Sequence, residues 1–504
     1  MTQRRTRSPR PYPGPVPTRR INPLKFDGAA ALDFAAVRVH LGVPAEYPAD
    51  AVAQARSAAE HSPVPPLDRT DLSLVTIDPI GSMDLDQAMH LERRDDGYRV
   101  HYAIADVASF VPLEGPLMAE TWRRGETLYS PDLATPLHPR ELSEGAASLL
   151  PNERRPAVLW TIDLDSDGQP TAVDLVRALV CSVARLDYEG VQSDLQNKSL
   201  HASIALLPEI GNLRRRAARA RHAITLDLPD AEVARAADGH WTLNLRAQNE
   251  IEKANAEISL LTGMCAAKIM LDGGVGLLRT LPPASSDQLE LLRRSATTLG
   301  IDWPADTFAG DVIAGLDGSQ PKAAAFLDDA VHLLRGAGYT PFSGRLPEQP
   351  LHAGVGAAYA HVTAPLRRLA DRYATEVCLA LHTGSPIPDW ATVALPQLPP
   401  VMAGSARRAS DLDRACTGAV SVFLLSGREG DEFMATVLQV DAAKDRAVVL
   451  LHEPPVRAHC AAAGLVEGVV GAVRLISVDS DSASFVVAPV DSTVASGSVT
   501  LVAG

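Results

Sequence analysis

The sequence has few aromatic residues, few cysteines and no long apolar run. Phe, Trp and Tyr make up 5% of its 504 residues, and its five cysteines are widely scattered without a CxxC pair. An odd, scattered set of cysteines argues against a disulfide framework and against a structural zinc site. A membrane-spanning helix needs about 18 or more uninterrupted apolar residues, and a signal peptide needs an apolar core. Neither is present, so the sequence predicts a soluble, cytoplasmic protein with reduced thiols and no membrane partner.

Basic residues are also fewer than acidic residues. Lys and Arg number 47 against 61 Asp and Glu, so the formal net charge at pH 7 is −14. This balance excludes a protein whose whole surface attracts nucleic acid, and any polyanion must meet local basic surface. The hydrophobic fraction of 46% is that of a foldable chain, and the length predicts two or three domains.

The first 70 residues divide into two parts. Residues 1–25 are rich in proline and arginine, which predicts a basic disordered arm, either a solvated tail or a segment that attracts phosphates. Residues 26–70 contain two stretches of helical spacing with Pro44 and Pro48 between them, so they predict a small helical region.

The rest of the chain predicts two domains. Within residues 71–425, LSLVTID and YRVHYAIADV are short, apolar and β-branched, as strands are, whereas PLRRLADRYATEVCLALHTG has the length and spacing of a helix. This mixture predicts an α+β catalytic domain. Residues 428–504 offer short strands at the spacing of a small β-barrel, which predicts a separate C-terminal domain.

Two further segments, NLRRRAARARHAI and NEIEKANAEISLLTGMCAAKIML, also predict helices. The first carries a run of five arginines that covers most of the helix circumference, so it predicts either a solvated face or an RNA contact. These arginines are Arg214, Arg215, Arg216, Arg219 and Arg221.

The stretch TIDPIGSMDLDQA, residues 76–88, holds three aspartates and a glutamine. Asp84 and Asp86 are two positions apart, so in an extended segment they project to the same side, and Asp78 can return to them across a turn. Three carboxylates at one point repel each other. A hard divalent cation such as Mg²⁺ resolves that repulsion and supports phosphodiester hydrolysis. A solvated Asp-rich turn and a calcium-stabilised loop without catalysis are the alternatives.

Several blocks in a fixed order make a specific signature. They are TIDPIGSMDLDQA, YRVHYAIADVASFV, RRGETLYSPDLATPLHPRELSEG, SLLPNERRPA and YAHVTAPLRRLADRY. Over roughly residues 71–425 the chain resembles the ribonuclease II family. Because the resemblance begins only near residue 71, the chain is similar to a bacterial type that lacks the two N-terminal cold-shock barrels.

The resemblance implies a fold and an activity. The expected fold is an α+β catalytic domain of the RNB type, with a short N-terminal helical region before it and an S1-like OB barrel after it. The expected activity is processive, hydrolytic 3′-to-5′ degradation of single-stranded RNA to nucleoside 5′-monophosphates. The expected cofactor is Mg²⁺, and the expected protein is a monomer with no obligatory protein partner.

The resemblance also implies roles for individual residues. Asp78, Asp84 and Asp86 match the metal-site acids of the family, and Asp86 matches the acid whose loss stops cleavage. Tyr129 matches the aromatic residue that stacks on the terminal base, an interaction that tolerates any base because every base has a π-face. Arg367 matches the arginine beside the scissile phosphate, where its guanidinium would stabilise developing charge.

A second set of residues is implied for RNA binding. Tyr188 and Glu257 match positions near the last nucleotides, where contacts to the 2′-hydroxyl would separate RNA from DNA. Arg368 is expected either to join the RNA contacts or to hold the structure. Asp413 matches an acid near the helix that precedes the terminal barrel.

Gln87 departs from the family pattern, because it stands where members usually have a fourth aspartate. The change removes one anionic ligand, so one metal ion is expected and a second is in doubt. An amide oxygen can still coordinate a cation, and an amide NH₂ can hold a water or a phosphate oxygen. The alternative is an RNA-binding scaffold of the same fold that has lost its chemistry through Gln87.

Overall fold

The computed structural model describes residues 32–44, 46–61, 64–236, 239–462, 464–479 and 484–490. The predicted arm at residues 1–25 lies outside these ranges. In chain order the α-helices are α1 (Phe34–His40), α2 (Ala49–Glu60), α3 (Pro116–Arg124), α4 (Tyr188–Asn197), α5 (Leu207–Ala220), α6 (Glu250–Asp272), α7 (Ser286–Leu299), α8 (Ala309–Ala314), α9 (Pro321–Ala330), α10 (Leu369–Thr383), α11 (Asp389–Ala394) and α12 (Leu398–Leu425).

The strands fall into two main sheets and several short hairpins. In chain order they are β1 (Leu74–Asp78), β2 (Gln87–Arg94), β3 (Gly97–Ala105), β4 (Leu128–Ser130), β5 (Leu133–Thr135), β6 (Arg154–Asp165), β7 (Pro170–Asp187), β8 (Asp230–Arg235), β9 (Trp241–Arg246), β10 (Val275–Thr280), β11 (Gly338–Ser343), β12 (Leu351–His352), β13 (Ala357–Ala358), β14 (Glu432–Asp441), β15 (Arg446–Leu451), β16 (Arg457–Cys460), β17 (Val470–Asp479) and β18 (Ser484–Pro489).

The centre of the molecule is a closed barrel formed by β1, β2, β3, β6 and β7. The neighbours β2–β3, β3–β6 and β6–β7 are antiparallel, and the parallel pairing of β1 with β7 closes the barrel. The register places Asp78 opposite Asp187 and Gln87 opposite Ile104. Because β1 ends and the antiparallel β2 begins at the same rim of the barrel, the connection between them and its acids is held at that rim.

The predicted strands and helices of this region are confirmed. LSLVTID and YRVHYAIADV contain β1 and β3, whose apolar side chains fill the barrel core together with Trp160. The predicted helices correspond to α5, α6 and α10, and α10 ends where Gly384 adopts a left-handed conformation. Nearly every residue of α10 from Leu369 to Ala380 is buried. This helix is therefore a central support rather than a surface element.

The C-terminal sheet has the strand order β16-β15-β14-β17-β18. The predicted division near residues 425–428 falls in the connection between α12 and β14. The two short helices predicted within residues 26–70 are α1 and α2. The first of them packs into the C-terminal core, because Phe34 and Val37 share one buried cluster with Val449 and Leu475.

The arginine run on α5 is divided between interior and surface. Arg214 is only 1% exposed, and its guanidinium donates to the carbonyl oxygen of Gly168 at 2.7 Å. Arg215 pairs with Glu250 at 2.7 Å. The prediction of one solvated or RNA-contacting face is therefore wrong for Arg214, because this side chain fastens the turn between β6 and β7 to the helix.

All five cysteines lie within the described ranges, and each is a free thiol. No helix in those ranges is both long enough and apolar enough to cross a bilayer.

Candidate active site

The connection from β1 to β2 presents the three predicted acids on one side. Leu85 is fully buried, and its backbone N–H donates to the Ser148 hydroxyl at 3.0 Å. The same hydroxyl donates to the carbonyl oxygen of Met83 at 2.6 Å. Because Leu85 points into the core, its neighbours Asp84 and Asp86 point the opposite way, as side chains alternate in extended backbone.

Asp86 is the most deeply placed of the acids, at 2% exposed. Its Oδ1 accepts from the backbone N–H of Leu366 at 2.7 Å, and its Oδ2 lies 3.7 Å from Nε of Arg367. Burial raises the pKa of Asp86 to about 8, although the Arg367 charge and the Leu366 hydrogen bond oppose the rise. In the free protein this carboxyl therefore keeps its proton up to near-neutral pH.

Asp78 and Asp84 share this electrostatic environment. Burial raises the pKa of Asp78 to about 6, with the Asp84 charge adding to the rise and Arg367 opposing it. Burial also raises the pKa of Asp84, against the effects of Arg367 and of a hydrogen bond from Tyr129. One carboxylate oxygen of Asp78, Oδ2, is buried without a hydrogen-bond partner. A buried acceptor of this kind indicates a place for a cation or a donor that arrives with a ligand.

Arg367 and Arg368 have different surroundings. Arg367 is about half exposed and faces the acids, whereas Arg368 donates to both oxygens of Asp371 at 3.0 and 2.8 Å. Asp371 is fully buried and also accepts from the backbone N–H of Ala364 at 2.7 Å. Of the two roles expected for Arg368, its contacts are those of the structural one, because the pair with Asp371 shapes the loop that presents Arg367.

Gln87 connects the acid-bearing segment to the arginine-bearing loop. Its side-chain NH₂ donates to the backbone carbonyl of Thr363, a residue that is 4% exposed. An aspartate has no N–H to donate and, when ionised, only accepts hydrogen bonds. The amide at this position therefore makes a bond that the family's usual aspartate could not make.

Tyr129 on β4 is 53% exposed. Burial raises the pKa of its hydroxyl, the charges of Asp84 and Asp86 add to the rise and the charge of Arg367 opposes it, so the hydroxyl lies in the field of these three groups. Its ring is thus an accessible aromatic face directly beside the carboxylates.

Helix α6 lines the site with polar residues one turn apart. Asn255 donates to the Tyr188 hydroxyl at 2.9 Å, and Ser259 hydrogen-bonds with the Tyr102 hydroxyl at 2.8 Å. Burial, with the Asp78 charge adding, raises the pKa of Tyr188 to about 12. The structure thus brings Tyr188 to the acids. It adds Asn255 and Ser259, which the sequence predictions missed although their i,i+4 spacing on a predicted helix is visible.

Glu257 and Asp413 have surroundings that differ from those of the three aspartates. Glu257 is two positions from Asn255, so it lies on another side of α6, where burial raises its pKa against the charges of Arg214 and Arg221. Asp413 lies on α12, where its charge contributes to raising the pKa of Cys416 after the larger effect of burial. The predicted RNA contacts at these two positions stay predictions.

The donor chemistry of the three aspartates suits a hard divalent cation, because all offered atoms are carboxylate oxygens. Among the residues that the structure describes, however, no group of three or more His, Cys, Asp or Glu side chains is arranged as a metal site. In the absence of such an arrangement, the positive charge that opposes the rise in the pKa values of both Asp78 and Asp86 is the guanidinium of Arg367. An ion at these acids would therefore compete with this guanidinium for the Asp86 carboxylate.

The raised pKa of Asp86 predicts a pH-dependent stability when divalent ions are removed. A carboxyl of pKa about 8 in the folded protein and about 4 in the unfolded chain binds more protons when folded, so its contribution is lost as pH rises through about 8. In EDTA, Asp86→Asn is expected to match the wild-type melting temperature near pH 4 and to exceed it by a growing margin up to about pH 8. Calorimetry of both proteins across this range measures the difference, and a constant difference contradicts the assignment.

The Gln87 hydrogen bond predicts an effect on catalysis. Gln87→Leu keeps the side-chain volume but leaves a buried carbonyl without its donor, so the single-turnover rate is expected to fall about tenfold. Gln87→Asp restores the family's usual residue without restoring the donor, and it is expected to lose activity as well. A Gln87→Asp protein that is as fast as the wild type, measured on the same RNA, would instead favour a role for a fourth acid.

Known proteins match this chain in sequence. Residues 67–382 match the RNB domain, and residues 431–490 match the RNase II-type exonuclease C-terminal S1 domain. Exoribonuclease 2 of Photorhabdus laumondii is 29% identical over 329 residues, which cover 60% of this chain and 49% of that protein. Ribonuclease R of Mycoplasma genitalium is 27% identical over 325 residues, which cover 60% and 43%. The chain spans about half the length of the curated relatives that it matches.

Solved structures match the fold. Mycoplasma genitalium RNase R in complex with ribose methylated single-stranded RNA superposes with a TM-score of 0.81 and 18% identity, covering 91% of this chain and 77% of that one. Yeast Ssd1, described as a pseudonuclease, superposes with a TM-score of 0.65 and 18% identity, covering 81% and 51%. The predicted α+β RNB-type domain with a C-terminal S1-like barrel is confirmed. Because the RNB match covers more than half of its residues, the chain belongs to the RNB domain family.

Proposed function

We propose that the protein is a processive, hydrolytic 3′-to-5′ exoribonuclease that uses Mg²⁺ to degrade single-stranded RNA to nucleoside 5′-monophosphates. The observation that carries the proposal is the convergence of Asp78, Asp84 and Asp86 on Arg367, with the exposed Tyr129 in electrostatic contact with Asp84, Asp86 and Arg367. The names of the relatives, Exoribonuclease 2 and Ribonuclease R, support the same class of activity. RNB exoribonucleases generally use a divalent metal ion. The proposal places the protein in the cytoplasm as a monomer.

The carboxylates of Asp78, Asp84 and Asp86 would hold the ion. When bound, a divalent cation lowers the pKa of water and neutralises phosphate charge. The acids must be deprotonated to act as ligands, so their raised pKa values make ion binding stronger as the pH rises through about 6 to 8.

Arg367 and Tyr129 position the substrate in this proposal. The guanidinium would donate to the scissile phosphate and stabilise the charge that develops on its oxygens. The Tyr129 ring stacks on the 3′-terminal base, which holds the end of any sequence over the acids. The hydrogen-bonded pair of Tyr188 and Asn255 supplies polar groups that can contact the ribose 2′-hydroxyl.

The second candidate function is an RNA-binding scaffold without hydrolysis. Two observations favour it: Gln87 replaces the fourth acid, and the three aspartates are gathered around a guanidinium rather than arranged as a metal site. This candidate predicts salt-sensitive binding of single strands with no release of nucleotides.

Product analysis separates the two functions. Purified protein is incubated with uniformly labelled single-stranded RNA and Mg²⁺, and the labelled soluble products are identified by chromatography. The proposal expects nucleoside 5′-monophosphates, released even when excess competitor RNA is added after binding, because a processive enzyme stays on its first strand. Intact RNA that co-purifies with the protein supports the scaffold, and oligonucleotide fragments of mixed length contradict both.

A further inference from the structure

The hairpin that carries Tyr129 has two faces. Side chains alternate along β4, so Leu128 and Ser130 project to the side opposite Tyr129. Tyr129 faces the acids, whereas Leu128 is 2% exposed and belongs to the buried cluster that contains Phe34 and Val37 of α1. The back of the tyrosine hairpin therefore lies in the same buried cluster as the N-terminal helix, and β4 also packs along α12.

Arg38, in the last turn of α1, fastens this contact. Its Nη1 donates to the Ser130 hydroxyl at 2.6 Å and to Oδ1 of Asp132 at 2.5 Å, and its Nη2 donates to Oδ2 of Asp132 at 3.1 Å. The Arg38 side chain is only 13% exposed. A planar guanidinium that contacts residues at positions 130 and 132 restrains the end of β4 and the turn that follows it.

The helix that bears Arg38 is itself anchored. Phe34 packs edge-to-face against Trp241 of β9, with ring centroids 5.1 Å apart, and α1 packs along α12. Val37 has no exposed surface. This helix precedes residues 67–382, which match the RNB domain, so the support for Tyr129 comes from a part of the chain outside that match.

We infer that α1, acting through Arg38, is a positioning element that holds Tyr129 where it stacks on the 3′-terminal base. The inference rests on the proposed function, because it assigns Tyr129 to the terminal base. Arg38 does not touch substrate. It acts through the hairpin: without Arg38 the hydrogen bonds at Ser130 and Asp132 are lost, and the packing of β4 on α12 alone must hold Tyr129 beside the acids.

The test compares RNA ending in a normal 3′ nucleotide with the same RNA ending in an abasic ribose. Binding is measured in the Asp86→Asn background, so that strands stay intact. If Tyr129 stacks on the last base, the normal strand binds about tenfold more tightly than the abasic one. Tyr129→Ala is expected to bring this ratio towards one. Arg38→Met, which keeps the aliphatic stem but removes the donors, is expected to do the same.

Combination and control variants complete the design. Adding Arg38→Met to Tyr129→Ala is expected to change the ratio no further, because both act on the same contact. Arg56→Met is the matched control, since Arg56 lies on the neighbouring α2 and pairs on the surface with Glu141 at 2.9 Å. If Arg38→Met does not fold, Asp132→Asn weakens the same contact and leaves the arginine packed.

The ratio of the affinities for normal and abasic RNA tests the positioning role of Arg38 independently of whether the protein hydrolyses RNA. The positioning role is contradicted if Arg38→Met or Asp132→Asn keeps the ratio of the Asp86→Asn protein. It is also contradicted if the Asp86→Asn protein itself gives a ratio near one. Because the ratio requires no hydrolysis, a protein that degrades no RNA but loses the ratio in Arg38→Met contradicts the proposed activity and upholds the positioning role.

Discussion

Asp86→Asn is expected to lower the rate of RNA hydrolysis by about 10³-fold or more, while single-stranded RNA still binds. The carboxylate of Asp86 is the most buried of the acids and the one nearest to Arg367, with 3.7 Å between Oδ2 and Nε. An asparagine at this position removes the negative charge that would hold a cation. Its Oδ1 can still accept the backbone N–H of Leu366, so the loop that carries Arg367 keeps its hydrogen bond.

The rate is measured in single turnover at saturating RNA, and binding is measured by the change in fluorescence polarisation of a labelled strand. Asp96→Asn is a suitable control, because Asp96 is an exposed carboxylate in the turn between β2 and β3. An Asp86→Asn protein that hydrolyses RNA at the wild-type rate would remove Asp86 from the chemistry. Loss of binding together with hydrolysis would instead point to a structural role.

Arg367→Gln is expected to have the second largest effect, a decrease of about 10²- to 10³-fold in the hydrolytic rate. In the free protein the Arg367 charge lowers the pKa of Asp78, Asp84 and Asp86 against the effect of burial. Removing that charge raises all three pKa values, so the acids become ligands only at higher pH. The residual activity is therefore expected to reach half of its maximum about one pH unit higher than in the wild type.

A pH–rate profile of the variant checks this shift. Arg367→Lys serves as a comparison, because it keeps the positive charge but loses the planar fork, and so is expected to lose rate without the full shift of the profile. A profile that keeps its midpoint in Arg367→Gln would show that the guanidinium does not control the ionisation of the acids.

The barrel strands and the long helices could be predicted because their patterns are local. LSLVTID and α10 carry their periodicity and their end signals, such as Gly384, within a few residues. The start of α12 at Leu398 has no comparable local signal, because Pro399 and Pro400 lie within its first turn. Proline is tolerated in the first turn of a helix, where its missing N–H has no partner in any case.

The contacts that assemble the site could not be predicted in the same way. Gln87 meets Thr363 across 276 positions of sequence, and Arg38 meets Asp132 across 94. Such pairs depend on the closure of the barrel and on the packing of α1, which no short pattern encodes. From the sequence alone Gln87 is a missing acid, whereas the structure shows a hydrogen-bond donor to the Thr363 carbonyl.

The most direct test of the account is incubation of the purified protein with a 5′-labelled single-stranded RNA of about 30 nucleotides, with Mg²⁺ and with EDTA. The products are resolved on a denaturing gel. The account predicts that the labelled strand is shortened progressively from its 3′ end to a small final product, in Mg²⁺ only. Intact RNA in both lanes, with binding demonstrated by a mobility shift, would contradict hydrolysis at the three aspartates and leave the RNA-binding scaffold.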